Sequence, residues 1–99
     1  MRKILLDLNP ARTVEWIHDY LAFELELPEY SDRSLDALYE ILTEWTEDTC
    51  IGVFCPPEDD SHVSRYLQHL CRLLKDAERD NEHLAVIFGE LEENYEDVE

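Results

Sequence analysis

Glycine is almost missing from this 99-residue chain: there are two, Gly52 and Gly89, and neither belongs to a glycine cluster. Loops that cradle phosphate with backbone amides need several glycines in close order, so nucleotide-binding loops of that kind are excluded. Cations are scarce as well. Eight Lys and Arg face 25 Asp and Glu, a formal net charge of -17. That field repels nucleic acid and anionic lipid, and it speeds encounter with a basic partner. Direct nucleic-acid binding and membrane-surface binding are therefore not expected. The three cysteines, Cys50, Cys55 and Cys71, cannot all pair within the chain. The first two lie too close in one predicted strand to bridge without distorting it. A reducing compartment is the expected setting. Long apolar runs are absent too. The opening MRKILLDL breaks at Asp7, short of a signal peptide or a membrane span, so a cytoplasmic location is expected.

What is present suits one globular domain. Hydrophobic residues make up 44%, with two Trp, five Tyr and three Phe, enough for a single core. Residues 3 to 8 read as a first strand ended by Asn9-Pro10. Thr13 then caps a helix with Val14, Ile17, Leu21 and Leu25 on one stripe, stopped by Pro28. After the loop LPEYSDRS, Ser34 caps a second helix whose inward face is Leu35, Leu38, Ile41, Leu42 and Trp45. Thr49 to Cys55 is nearly continuously apolar, as in a strand buried on both faces or beneath helices. EDDSH offers caps for a strong helix with Val63, Tyr66, Leu67, Leu70, Leu73, Leu74 and Ala77 on its buried side, and Leu84 to Phe88 supplies a third strand. Strands separated by helices pair in parallel, and right-handed crossovers gather the helices on one face. The expected architecture is a small two-layer α/β domain over residues 1–89, with a three-stranded parallel sheet in the order 1-2-3. An acidic, disordered tail is expected over 90–99.

Catalytic signatures are sparse. HExxH, CxxC and GxSxG are all absent. His69 and Cys71 are two apart on a helix and do not face one another, which argues against a thiol–base pair. Cys50, Cys55, His62, His69, Cys71 and His83 could in principle supply metal ligands, but their spacing lacks the paired pattern of zinc sites. No catalytic residue, metal or cofactor is assigned. The outer side of the second helix is more informative. Asp36, Tyr39, Glu40 and Thr43 form one strip opposite the apolar face. Asp36 suits the first turn, where the helix dipole favours a carboxylate. Glu40, four residues on, repeats the charge at a cost to the isolated helix, so the pair points to a binding surface. Tyr30 and Tyr39 add aromatic anchors of interface type.

These residues also carry a resemblance. ELELPEY (Glu24 to Tyr30), SLDAL (Ser34 to Leu38), and Leu42-Thr43 followed by Trp45 resemble the central helix–loop–helix of the barstar family, intracellular inhibitors of the bacterial ribonuclease barnase. His18, Lys75-Asp76-Ala77 and the last strand fit that pattern more weakly. The resemblance implies the same parallel-sheet architecture. It also implies a stoichiometric inhibitor that plugs the basic cleft of a small ribonuclease, with a carboxylate in the place of an RNA phosphate. The ribonuclease would be the cell's own enzyme or a toxin against which the protein confers immunity. Matched residue by residue, Tyr30, Asp36, Tyr39, Glu40, Trp45 and Asp76 stand at the family's contact positions. Tyr39 stands where tryptophan is usual, Glu40 where the phosphate-mimicking acid is aspartate, and Asp32 where a glycine is expected. An alternative from a different class is an acidic adaptor or nucleic-acid mimic that binds another basic protein without inhibiting catalysis.

Overall fold

The computed structural model describes residues 2–27 and 34–89. Six elements follow in the order β1 (Arg2–Asp7), α1 (Val14–Glu24), α2 (Leu35–Thr43), β2 (Thr49–Phe54), α3 (His62–Asp80) and β3 (Leu84–Gly89). The strands form one parallel sheet ordered β1-β2-β3. This is the small α/β domain expected from the sequence. Tyr30 and the stretch 90–99 lie outside the described residues.

Local chemistry starts each helix. Thr13, Ser34 and Ser61 are extended at the N-caps, and their hydroxyls accept from the amides of Trp16, Ala37 and Ser64. Each bond satisfies one of the donors that a helix start leaves unpaired. The end of α1 corrects the expectation that Pro28 stops it: the regular helix closes at Glu24. Glu26 takes a left-handed φ of 55°. The Glu26 amide then donates to the Phe23 carbonyl at 3.3 Å and the Leu27 amide to that of Ala22 at 3.0 Å, the paired bonds of a Schellman ending.

Alternation along the strands sorts the sheet into two faces. Ile4, Leu6, Thr49, Ile51, Val53, Leu84 and Val86 are buried. They meet Ile17 and Leu21 of α1, Leu38 and Leu42 of α2, and Leu67, Leu70, Leu74 and Ala77 of α3 in a single core. For β2 the structure settles the open alternative: the strand is buried beneath helices, and its other side is only half-covered. On that side Leu5, Gly52 and Ile87 lie in register, with Leu5 and Ile87 more than half exposed. A Cβ on Gly52 would come within 3.3 Å of the Leu5 side chain, so the glycine lets Leu5 lie across the strand.

The third layer of organisation is a set of polar ties between α3 and its neighbours. As an edge strand, β3 turns the backbone groups of Val86 away from β2, and α3 satisfies both. The Val86 amide donates to Glu78 Oε2 at 2.9 Å, and Lys75 Nζ donates to the Val86 carbonyl at 3.2 Å. Such cover blunts an edge that would otherwise pair with another chain. Asn81, buried after α3, donates through Nδ2 to the carbonyls of Leu42 at 2.8 Å and Trp45 at 3.0 Å. The Leu42 carbonyl also accepts from the Trp45 amide at 3.3 Å, and the added bonds from Asn81 fix the end of α2 against the α3–β3 turn.

Candidate functional site

The placement of α2 decides what it shows to solvent. Leu38 and Leu42 are fully buried one turn apart, and Leu35, Ile41 and Trp45 pack half-buried around them. Asp36 and Glu40 are consequently exposed, in successive turns of the opposite side. Between them Tyr39 is half-buried, and its hydroxyl donates to Asp80 Oδ2 of α3. Asp80 also accepts from Arg79 Nε at 3.3 Å, and Arg79 Nη1 lies 3.4 Å from Asp76 Oδ1. A continuous chain of contacts thus runs Tyr39, Asp80, Arg79, Asp76, joining the outer side of α2 to the last turns of α3.

Electrostatics within this chain are mutually consistent. The bond to Asp80 raises the Tyr39 phenol above its ordinary value, with smaller contributions from desolvation and from the Asp80 charge. The same bond, followed by the one from Arg79, lowers the Asp80 carboxyl. Arg79 is raised by its bond to Asp80 and by the charges of Asp80 and Asp76. All three groups stay ordinary in charge at neutral pH, and because they face water their bonds contribute more to geometry than to stability. What they supply is a tyrosine held in place between carboxylates from two helices.

The sequence candidates fall into three groups. Asp36, Tyr39 and Glu40 share the outer side of α2, and Asp76 joins them through Arg79 and Asp80. Trp45 stands apart from that strip, just beyond the α2 C-cap. Its ring lies under the Arg2 guanidinium at 5.3 Å, and it lines a groove of about 490 Å³ with Thr43, Glu44, Arg79 and Asp80. Tyr30 lies outside the described residues. Thr43 ends the strip. It is half-buried, and its hydroxyl donates back to the carbonyls of Tyr39 at 3.0 Å and Glu40 at 3.1 Å.

Sequence reasoning missed Asp80 and Arg79. A signal existed: Asp76 and Asp80 repeat on α3 the i, i+4 carboxylate spacing of Asp36 and Glu40 on α2. The positioning role of Asn81 had no such signal, since its partners are 36 and 39 residues away. Among the described residues no group of three or more His, Cys, Asp or Glu side chains is arranged to hold a metal ion. Nor is any helix among them long and apolar enough to cross a membrane.

Two comparisons with known proteins bear on this surface. The family model described as "Barstar (barnase inhibitor)" matches residues 1–98. A protein of Bacillus subtilis (strain 168) named "Putative ribonuclease inhibitor YrdF" is 43% identical over 47 residues. That alignment covers 48% of this chain and 52% of the relative, so it spans about half the length of each.

Proposed function

The chain belongs to the barstar family, and we propose that it is a stoichiometric protein inhibitor of a small basic ribonuclease. The observation that carries this reading is the acidic face spanning α2 and α3, built on the helix that the family match includes. Phosphate sites in ribonucleases are made of Arg and Lys donors in fixed geometry. Carboxylates such as Asp36 and Glu40 accept from those donors bidentately, as phosphate oxygens do. In this reading Asp36 and Glu40 enter the cleft, Tyr39 supplies the flat apolar contact between them, and Asp76 with Asp80 extends the negative rim. Tyr30 is a further proposed contact, and Trp45 adds one from the groove beyond α2. The protein performs no chemistry of its own and acts by occupying the site. Its place is the cytoplasm, where the ribonuclease is either the cell's own enzyme or an incoming toxin.

The spacing of Asp36 and Glu40 then has a physical reason. Like charges at i and i+4 cost a helix roughly 0.2–0.5 kcal/mol in the free protein. Cations docking between them remove that repulsion and replace it with charge-assisted hydrogen bonds. A small loss of intrinsic stability is exchanged for affinity.

Affinity capture from lysate of the source organism tests the reading, with wild type run beside an Asp36→Ala/Glu40→Ala variant and ribonuclease assayed on the retained fraction. The expected result is a basic ribonuclease held inactive by wild type, with capture weakened about 100-fold, or roughly 2.8 kcal/mol, in the variant. Retention of a basic protein without ribonuclease activity would favour the adaptor alternative.

A further inference from the structure

Away from the acidic face, two of the three cysteines meet. Cys55 follows the last residue of β2, and Cys71 sits in the middle of α3. Their Sγ atoms are 3.4 Å apart, although the residues are separated by 16 positions. Both are free thiols and half-buried. Together they line a cleft of about 600 Å³ at the C-terminal edge of the sheet, bordered by Asn9, Pro56, Glu58 and Gln68. That edge is where open parallel sheets commonly receive small ligands, and the volume falls in the range of small-molecule sites.

We propose that Cys55 and Cys71 form a redox-active dithiol that closes to an intramolecular disulfide by exchange with a small disulfide entering this cleft. The approach required is short, from 3.4 Å to the ~2.05 Å of a covalent S–S bond. The hydrogen bond between the thiols lowers the Cys55 thiol, against an opposing push from burial. Cys71 is raised by its bond to Cys55, by burial, and by the charges of Cys55 and Glu58. The exchange is assigned with Cys55 as the attacking thiolate and Cys71 as the resolving thiol, an order that the Cys71→Ser variant tests.

The exchange balances in two steps. Cys55 thiolate attacks one sulfur of R–S–S–R, forming Cys55–S–S–R and expelling R–S⁻, which takes up the proton that Cys55 lost. Cys71 then gives up its proton and attacks the Cys55 sulfur, expelling the second R–S⁻, which that proton converts to R–SH. The two protein thiols lose two electrons, and the small disulfide gains them. Cys50 takes no part: five residues back along β2, it is about 16 Å from Cys55 at the usual rise of a strand. The net charge of -17 and Glu58 at the cleft select a cationic disulfide over an anionic one.

The test uses the full chain, reduced and freed of reductant, then exposed to cystamine, with remaining thiols alkylated and all three cysteines mapped by mass spectrometry. The expected product is a monomer two hydrogens lighter, with Cys55 joined to Cys71 and Cys50 alkylated. A Cys71→Ser variant stops at the mixed disulfide on Cys55. Three alkylated thiols, a bond to Cys50, or stable mixed disulfides on both Cys55 and Cys71 of the wild type would overturn the proposal. Glutathione disulfide, which is anionic, is expected to react about tenfold more slowly at low salt, the gap closing as salt is added. An equal or faster rate for glutathione disulfide would overturn the assigned selectivity.

Discussion

Glu26 holds a backbone φ of 55° with a full side chain, at the position where a helix ending of this kind favours glycine. A left-handed conformation costs an L-residue roughly 1–2 kcal/mol, and glycine avoids that cost while losing more chain entropy. The Arg2–Glu26 ion pair, at 3.5 Å with Glu26 mostly exposed, offsets little of it. Glu26→Gly is accordingly expected to stabilise the fold by about 1 kcal/mol, read as a higher midpoint in chemical denaturation. A lower midpoint would show that the side chain contributes more than its backbone costs. The same residue shows where sequence reading reaches its limit. The caps at Thr13 and Ser34 were legible because each hydroxyl reaches an amide three residues on. The helix end was read too late because Pro28 was an evident breaker, while a left-handed glutamate leaves no mark in composition.

Elements are joined here by side chains that bridge long sequence distances, and two of them lead to predictions. Asn81→Ala removes the donors held by the Leu42 and Trp45 carbonyls in a buried setting, with an expected loss of about 2 kcal/mol. Because Asn81 anchors the end of α2, amide exchange should quicken in α2 more than in the sheet. Uniform acceleration would mean that Asn81 supports the whole fold rather than this helix. Glu78 belongs to the β3 edge. Its carboxyl is lowered from its ordinary 4.5, first by the Val86 amide and then by Lys75. With the folded value depressed, this contribution to stability is present above the ordinary glutamate range and is lost as pH falls through the folded value. Glu78→Gln should therefore flatten the acid limb of the stability–pH curve, and an unchanged slope would show that the Val86 contact is not charge-assisted. The helix faces were readable from periodicity, and the strand order from the rules that govern parallel connections. The edge cover, the Asn81 anchor and the Cys55–Cys71 meeting were not, since each depends on which elements lie side by side. The pair that meets joins the residue just after β2 to the middle of α3, a contact that their spacing of 16 positions does not reveal.

Taken as one molecule, the chain combines a charge of -17 with a face where the carboxylates of α2 and α3 are brought together by Tyr39 and Asp80. In the proposed function the overall charge sets how fast a basic partner arrives, and the face sets whether it stays. The outer strip of α2 was legible because Asp36 and Glu40 sit opposite a clear apolar stripe, whereas its extension onto α3 needed the tertiary bond to Asp80. These two levels separate under salt: association should slow steeply as ionic strength rises for wild type and variants alike, while dissociation should quicken chiefly when Asp36 and Glu40 are removed. The most direct test of the central claim is a titration of a barnase-type ribonuclease with this protein, following RNA cleavage at enzyme concentrations well above the dissociation constant. The proposed inhibitor gives a linear fall in activity that ends at one equivalent for wild type and a shallow, incomplete fall for Asp36→Ala/Glu40→Ala. Undiminished cleavage in the presence of excess wild type, or identical titrations for the two proteins, would contradict it.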